Sequence, residues 1–260
     1  MFAAMRRELI SLLNAAGRLP EVINQRDLVV TSVPYGRQDT GQQDTGRQAA
    51  RPITTPVLLL HGYLSTDTPW TPLVLRLHQA GFVNVFTLRY DSLSVGVPQL
   101  AAGLVGEVPT VLSQADRPDL HLIGHSLGGL VARYAVQHLG LDRVTRSVVT
   151  VATPHHGSLL ALFGPGPAAA QLRPGSVLLR ELPPLETTRH VKWAVIHAGA
   201  DFVVAPPPAG EVVSLAGYGH RSILSAPELA EAVVGHLRTA EQAGDDGAAG
   251  DPPVTYAWAV

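Results

Sequence analysis

The sequence of 260 residues contains no cysteine, and only 15% of its residues are charged. The absence of cysteine excludes disulfide bonds, thiolate metal sites and a cysteine nucleophile. A net charge of −2 leaves no excess of positive charge for binding nucleic acid or an anionic membrane surface. No uninterrupted apolar run is long enough to cross a bilayer, so we expect no integral membrane segment. What the chain does have is 46% apolar residues, enough for one domain with a sizeable core.

The two ends of the chain differ from its centre in composition. Residues 1–17 carry two arginines before apolar residues at helical spacing, which predicts an amphipathic helix rather than a signal peptide. A strand is predicted at 28–33, and a polar repeat of Gln-Asp-Thr-Gly at 36–48 predicts a flexible loop. Gly, Ala and Asp dominate the start of 241–260, which predicts a disordered or loosely attached tail. The expected division is an N-terminal part at 1–52, a central domain at 53–240 and this tail.

Strand and helix patterns alternate along the central domain. The strand candidates are short β-branched runs, mostly apolar on both faces, at 57–60, 83–88, 120–123, 147–151, 191–197 and 211–215. Helical periodicity lies between them at 70–80, 99–115, 127–139 and 227–240. This order predicts an α/β fold, with a mainly parallel sheet and helices on both of its faces. In such sheets the functional site forms at the carboxyl ends of the strands.

Residues 124–128, Gly-His-Ser-Leu-Gly, match the pattern G-x-S-x-G. They follow an apolar strand and open a helix, so a serine there stands on a sharp, strained turn with its hydroxyl free. The N-terminus of the new helix favours an anion at the same point, because its amides and its dipole face that point. Ser126 is therefore the candidate nucleophile. The alternative is a glycine-rich turn that carries a surface serine.

Two later loops supply candidate partners for Ser126. Asp201 follows the strand predicted at 191–197 and lies in an apolar loop, where a carboxylate can orient a histidine and stabilise its imidazolium. The alternative for Asp201 is a turn-capping role. His220 follows the last predicted strand in a glycine-flanked loop, and a neutral imidazole there can take the serine proton. The chain order of serine, acid and histidine is that of one particular fold.

An oxyanion hole needs two backbone N–H groups aimed at one point. We assign these amides to Leu127, which follows the candidate nucleophile, and to Tyr63, which lies in the loop after an early strand. His61, just before that loop turns, is expected to hold it by side-chain hydrogen bonds rather than to take part in catalysis.

Five segments in this order resemble the α/β-hydrolase superfamily and, within it, compact bacterial triacylglycerol lipases and esterases. They are His-Gly-Tyr at 61–63, the nucleophile motif at 124–129, Ala-Thr-Pro-His-His-Gly-Ser at 152–158, Gly-Ala-Asp-Phe-Val-Val at 199–204 and Gly-Tyr-Gly-His at 217–220. The resemblance implies the α/β-hydrolase fold. It also implies carboxylic-ester hydrolysis through a Ser-His-Asp triad and an acyl-enzyme, without cofactor or metal. An acyltransferase or a thioesterase with the same triad, and a non-catalytic binding protein on the same fold, stay open as alternatives.

The surroundings of these motifs favour an acyl-ester or lipid substrate. The candidate substrate-binding residues are His155, His156, Leu159 and Phe202. Neighbouring histidines point apart, so the first two do not predict a metal site. The apolar segment at 159–170 predicts either a mobile cap over an acyl pocket or a buried connection. Arg221 is the one arginine or lysine in or beside the five loops. We expect a monomer, and a cytoplasmic location is slightly favoured over secretion.

Overall fold

The computed structural model describes residues 28–34, 52–65, 70–188, 190–204 and 212–247. The predicted N-terminal helix and the Gln-Asp-Thr-Gly repeat lie outside these ranges. Within them, the strands are β1 (Val29–Val33), β2 (Val57–Leu60), β3 (Val85–Arg89), β4 (Leu120–His125), β5 (Thr145–Val151), β6 (Lys192–Ala198) and β7 (Val212–Leu215). The α-helices are α1 (Thr71–Gln79), α2 (Val97–Ala115), α3 (Leu127–His138), α4 (Gly166–Gln171), α5 (Val177–Glu181) and α6 (Pro227–Gly247). Short 3₁₀ helices lie at Leu141–Val144, Leu159–Leu162, Leu185–Thr187 and Ser222–Ser225.

The strands form one sheet in the order β1-β3-β2-β4-β5-β6-β7. β1 pairs antiparallel with β3, and the other neighbouring strands are parallel. The central strands β2 and β4 are buried along their whole length, as expected for apolar strands covered on both faces. Leu60 at the end of β2 lies opposite Gly124 of β4, so the loops that follow both strands meet at one edge of the sheet. The predicted mainly parallel sheet is confirmed.

Helices cover both faces of this sheet. On one face, α2 and α3 bury Leu104, Val108 and Leu130 against Leu122 of β4. On the other face, α1 and α6 bury residues such as Leu73, Leu77, Leu229 and Val233, which pack with Ile123. Consecutive residues of β4 enter opposite cores because side chains alternate along a strand. This two-sided burial fixes β4, and with it the turn that follows β4.

The last helix differs from the sequence prediction. α6 continues from Pro227 to Gly247, whereas helical periodicity predicts its end at residue 240 and a loose tail beyond it. The reason is a tertiary contact made by Glu241. Its Oε1 accepts a hydrogen bond from His121 Nε2 at 2.8 Å, and its Oε2 accepts one from Thr55 Oγ1 at 3.1 Å. These bonds tie the end of α6 to the amino ends of β2 and β4. The composition of the chain beyond residue 240 does not predict this helical extension.

The segment between β5 and β6 covers the carboxyl edge of the sheet, and we call residues 158–172 the cap segment. Its outer face is apolar and exposed: Leu159 is 70% exposed and Leu162 51% exposed. Its inner face, which includes Ala168 and Leu172, is buried. The segment therefore has a buried inner side and an exposed outer side. These features lie between the two alternatives predicted from its sequence, a mobile cap and a buried connection. None of the helices within the described ranges is long and apolar enough to cross a membrane.

Candidate active site

Ser126 lies on the turn between β4 and α3 with φ 54° and ψ −120°, a backbone conformation that is strained for a residue with a side chain. The flanking glycines explain how the turn fits. A Cβ on Gly124 would overlap the backbone of Gly128, and a Cβ on Gly128 would overlap the carbonyl oxygen of Leu60. The G-x-S-x-G pattern is therefore a packing requirement of this turn. It leaves the serine hydroxyl at the carboxyl edge of the sheet.

A chain of hydrogen bonds joins Ser126, His220 and Asp201. His220 Nε2 lies 2.9 Å from Ser126 Oγ, and His220 Nδ1 lies 2.8 Å from Asp201 Oδ2. The side chains of His220 and Asp201 are 4% and 0% exposed. An ionised carboxylate only accepts hydrogen bonds, so it selects the tautomer with hydrogen on Nδ1. The Nε2 lone pair then faces the serine hydroxyl and can take its proton. The structure thus brings together the three residues singled out from the sequence.

Backbone amides hold the carboxylate of Asp201. Its Oδ1 accepts hydrogen bonds from the amides of Val203 at 2.7 Å and Val204 at 3.0 Å. Burial by itself raises the pKa of Asp201, but the hydrogen bond and charge of His220, together with these two amides, hold the pKa below its ordinary value. The carboxyl group is therefore ionised at neutral pH, as an acceptor for His220 Nδ1–H has to be.

His125, which occupies the first variable position of the G-x-S-x-G motif, is hydrogen-bonded to the backbone of His220. Its Nε2 lies 2.8 Å from the backbone carbonyl oxygen of His220. Burial lowers the pKa of His125 to about 3, with further contributions from the charges of His220 and Arg221, so the ring is neutral and Nε2–H is the donor. Its Nδ1 is buried with no hydrogen-bond partner among the described residues. The sequence pattern gives this position no role, and the only signal there is a polar residue at the end of a buried strand.

The loop after β2 passes beside the nucleophile. A Cβ added to Gly62 would lie 3.2 Å from Ser126 Cβ, so only glycine lets the loop come this close without displacement. Burial lowers the pKa of His61 to about 4, so the ring is neutral. Its Nε2 accepts a hydrogen bond from the amide of Tyr90 at 3.2 Å, and its Nδ1–H donates to the carbonyl of Gly62 at 2.8 Å. The ring also stacks on Tyr90, with 3.9 Å between centroids. His61 thus fixes this loop, as expected.

The predicted oxyanion amides belong to this loop and to the turn. Tyr63 follows Gly62 in the loop, and Leu127 is the first residue of α3. Neither amide has a hydrogen-bond partner among the described residues. Two free amides on the two segments that flank Ser126 can bind an oxyanion formed there.

A cavity of about 290 Å³ opens beside Ser126. Most of its wall is apolar, and the wall includes Leu160, Ala161, Phe163, Leu172, Val204 and Leu224 together with Tyr63, His125, His220 and Arg221. The four residues predicted to bind substrate are absent from this lining. His156, Leu159 and Phe202 are exposed to solvent, and His155 is buried away from the cavity. Neighbouring residues of the cap segment and the acid loop, such as Leu160, Ala161 and Val204, form the wall instead.

His155 belongs to a polar cluster with Arg133 of α3 and Thr150 of β5. Its Nδ1 accepts a hydrogen bond from Arg133 Nη1 at 3.1 Å, and its Nε2 lies 3.0 Å from Thr150 Oγ1. Burial lowers the pKa of His155 to about 3, and the nearby Arg133 lowers it further, so His155 is a neutral acceptor. Arg133 also donates to the carbonyl of Pro183 at 2.7 Å. The cluster ties α3 to β5 and to the chain before β6. Among the described residues, no group of three His, Asp or Glu side chains is arranged to hold a metal ion.

Comparison with protein-family models gives a match at residues 23–163, which is more than half of the chain, to the family described as a domain of unknown function, DUF7379. The chain belongs to the DUF7379 family. This matched region of the DUF7379 domain includes the loop after β2, the strained turn and the segment at 152–158. It ends before the acid and base loops that contain Asp201 and His220.

The chain is also similar in sequence to curated bacterial proteins. The chain is 33% identical over 115 residues to "Triacylglycerol lipase" of Pseudarthrobacter phenanthrenivorans, covering 42% of this chain and 35% of the relative. A "Triacylglycerol lipase" of Burkholderia plantarii matches at the same identity and length, with 32% of the relative covered. The chain thus spans about a third of the length of the curated relatives that it matches. The predicted resemblance to bacterial lipases is confirmed.

The fold also has a close counterpart of similar size. The structure of Bacillus licheniformis lipase BlEst2 in mature form superimposes with a TM-score of 0.62 at 16% sequence identity, covering 80% of this chain and 97% of that chain. At this identity, the likeness shows the fold. The predicted α/β-hydrolase fold is therefore confirmed for the DUF7379 chain.

Proposed function

We propose that this protein is a serine carboxylic-ester hydrolase, a lipase or esterase that acts on acyl esters through an acyl-enzyme. The observation that carries the proposal is the hydrogen-bonded chain of Ser126, His220 and Asp201, which begins at a strained turn and faces an apolar cavity. The sequence similarity to bacterial proteins named triacylglycerol lipase supports the same activity.

The first half of the proposed reaction transfers the acyl group to the enzyme. His220 Nε2 takes the proton of Ser126 Oγ as this oxygen attacks the ester carbonyl carbon. The carbonyl oxygen becomes an oxyanion, which the amides of Tyr63 and Leu127 bind. The protonated His220 then gives its proton to the oxygen of the departing alcohol, and the acyl group stays on Ser126. Asp201 remains ionised and stabilises the imidazolium throughout.

The second half returns the enzyme to its starting state. His220 takes a proton from a water molecule, whose oxygen attacks the acyl carbon. Collapse of the second tetrahedral intermediate breaks the bond to Ser126, whose oxygen takes the proton back from His220. The products are a carboxylic acid and the free alcohol released earlier. The same triad transfers the acyl group to an alcohol or cleaves a thioester in the alternative functions.

The wall of the cavity supports an acyl chain as the group bound there. Leu160, Ala161 and Leu172 of the cap segment offer apolar surface to it, and so do Val204 and Leu224. A buried methylene contributes about 0.8 kcal/mol to binding. We propose these five residues as the acyl site, in place of the four residues predicted from sequence.

Covalent labelling tests the proposal directly. A fluorophosphonate probe should label Ser126, and p-nitrophenyl butanoate should be hydrolysed by the wild-type protein but not by Ser126→Ala. Ser113→Ala, which changes an exposed serine of α2, is the matched control and should keep both properties. An active Ser126→Ala variant would refute the assignment. Product analysis with an added alcohol or thiol separates hydrolysis from acyl transfer, and an acyl-thioester substrate tests the thioesterase alternative.

A further inference from the structure

One permanently charged residue is found among the described residues that line the cavity, and it is Arg221. The rest of the wall consists of apolar side chains, hydroxyl groups and the two histidines of the site. A charge beside apolar groups costs free energy unless a partner is bound to it. An apolar acyl chain offers no hydrogen-bond acceptor to a guanidinium group in the cavity wall. Arg221 therefore indicates that the cavity also binds a polar or charged group.

Arg221 also differs from the other described arginines. Most of them have partners: Arg133 donates to the carbonyl of Pro183, and Arg146 forms an ion pair with Asp119. The guanidinium groups of Arg89 and Arg143 have no hydrogen bond or ion pair with described residues, but both residues are exposed and water can solvate them. Arg221 is partly buried, and its N–H groups have no acceptor among the described residues. No described residue takes up the hydrogen-bonding capacity of this guanidinium group, so a ligand can use it.

The position of Arg221 indicates which part of a substrate it meets. Arg221 follows His220 directly and lines the same cavity as His125, and its charge contributes to the lowered pKa of His125. In the proposed reaction, His220 delivers a proton to the oxygen of the leaving alcohol. The alcohol half of the ester must then lie against His220, while the acyl half extends along the cap segment. Arg221 therefore borders the alcohol half.

We infer that Arg221 forms a binding subsite for an anionic group, a phosphate or a carboxylate, on the alcohol half of the ester. The inference rests on the proposed hydrolase function. It narrows the proposed substrates to acyl esters whose alcohol half carries a phosphate or a carboxylate group. A guanidinium group matches both anions, because its planar fork donates two parallel hydrogen bonds to a pair of oxygens. The surrounding apolar wall strengthens such a contact by excluding water.

Three butanoate esters of similar shape test the subsite. Their alcohols are 4-hydroxybenzoate, 4-hydroxyphenyl phosphate and, as the neutral reference, 4-hydroxybenzamide. The quantity measured is the ratio of kcat/KM for each anionic ester to kcat/KM for the neutral one. Differences in leaving-group chemistry cancel when this ratio is compared between wild type and variants. The anion whose ratio falls more when Arg221 is replaced is the one that the subsite prefers.

The variants remove or keep the charge. Arg221→Gln should lower the ratio roughly tenfold or more, since a hydrogen bond to a charged group is lost. Arg221→Lys should keep part of the preference, because it retains the charge but not the fork. Arg143→Gln removes an equal charge at an exposed site beyond α3 and should leave the ratio unchanged. Added salt should lower the wild-type ratio, which is a second readout that needs no variant.

The outcomes separate the subsite from the hydrolase activity. If the wild-type protein hydrolyses the neutral ester and Arg221→Gln leaves the ratio as it was, the subsite is refuted and the hydrolase proposal stands. A wild-type ratio that does not respond to salt counts against the subsite in the same way. If no ester is hydrolysed at all, the hydrolase proposal itself fails.

Discussion

His125 is a side chain whose proposed effect on the reaction passes through another residue. Its neutral ring donates to the carbonyl of His220, and this bond fixes the loop that carries the base. A glutamine can place an amide nitrogen near the position of Nε2, whereas an asparagine reaches only the position of Nδ1. His125→Asn should therefore lower kcat roughly tenfold through the lost hydrogen bond, with little change in KM, while His125→Gln keeps most of kcat.

Steady-state kinetics with p-nitrophenyl butanoate measure this difference. The pKa of His125 at about 3 adds a second expectation, that its protonation leaves the pH–rate profile between pH 5 and pH 8 unaffected in the wild-type protein. Equal losses in the Gln and Asn variants would show that His125 only fills space.

The triad residues should act as one unit. His220→Ala should be nearly as damaging to kcat as Ser126→Ala, since neither residue works without the other. Asp201→Asn should keep the geometry but favour the wrong imidazole tautomer, with a loss of about 10⁴ in kcat. His138→Ala changes an exposed histidine at the far end of α3 and serves as the control for both. A variant of His197 that loses more activity than these would point to a different base.

Residue types alone would not have located this site. Ser147, His121 and Glu241 also form a hydrogen-bonded chain, with His121 Nδ1 at 2.8 Å from Ser147 Oγ and His121 Nε2 at 2.8 Å from Glu241 Oε1. His121 and Ser147 are fully buried at the amino ends of their strands, outside the cavity lining. The sequence distinguishes the two groups because Ser126 has the glycine pattern of a strained turn and each partner follows a strand. The candidate triad could be predicted because each of its residues follows a predicted strand, and not because of its residue types.

At the scale of elements, α6 depends on the contacts of Glu241. Burial raises the pKa of Glu241, but the hydrogen bond and charge of His121 and the charge of Arg146 outweigh burial, so the pKa lies below its ordinary value. A carboxyl group with a lowered folded-state pKa stabilises the fold above its unfolded-state pKa, and this stability is lost as pH falls through the folded-state value. Glu241→Gln should therefore reduce the free energy of unfolding by about 1–2 kcal/mol at neutral pH.

Urea unfolding at several pH values checks this expectation. The difference in the free energy of unfolding between wild type and Glu241→Gln should be largest near pH 7 and shrink below about pH 4. Glu181→Gln, an exposed change on α5, should give no difference at either pH. A difference that stays constant with pH would mean that the charge of Glu241 contributes nothing.

The cap segment is the second element whose behaviour follows from its contacts. The hydroxyl of Tyr63 donates to the carbonyl of Pro165, the amide of Val97 donates to Gln171 Oε1 at 2.7 Å, and Ser158 Oγ donates to Val203. A segment held at three points has little freedom to open only at an interface. We expect the rate of tributanoylglycerol hydrolysis to follow ordinary saturation through the solubility limit of the substrate. A sudden rise in rate at that limit would show instead that the segment opens as a lid.

For the whole molecule, sequence patterns predicted what depends on local order along the chain. Apolar strand patterns that alternate with helical patterns predicted the parallel sheet, and the positions just after its strands predicted Ser126, Asp201 and His220. The cavity wall was missed because it is formed between distant elements: Leu160 and Leu172 meet Val204 and Leu224 only in the folded protein. The adjacent residues Leu159 and Phe202, chosen from the same segments, point outward. Which of two neighbours faces inward is decided by tertiary packing that no local pattern records.

The size of the cavity should set the preferred acyl chain. In the wild-type protein, kcat/KM should rise from acetate esters upward by up to roughly fourfold per methylene, since each buried CH₂ contributes about 0.8 kcal/mol, until about 290 Å³ is filled. Ala161→Leu adds volume on the cavity wall and should move the optimum to a shorter chain. Ala102→Leu makes the same change on the exposed side of α2 and should leave the optimum in place.

A series of p-nitrophenyl esters from acetate to octanoate measures both effects below the solubility limits of the esters. The physical reason for the shift is that a side chain inserted into a filled space costs free energy through overpacking, whereas a shorter acyl chain leaves room for it. A wild-type profile that is flat or falls from acetate onward would refute the acyl-site proposal. An unchanged optimum in Ala161→Leu would place the acyl chain on another wall of the cavity. In either case labelling of Ser126 still tests the nucleophile independently, because the probe reacts with the serine whatever the cavity binds.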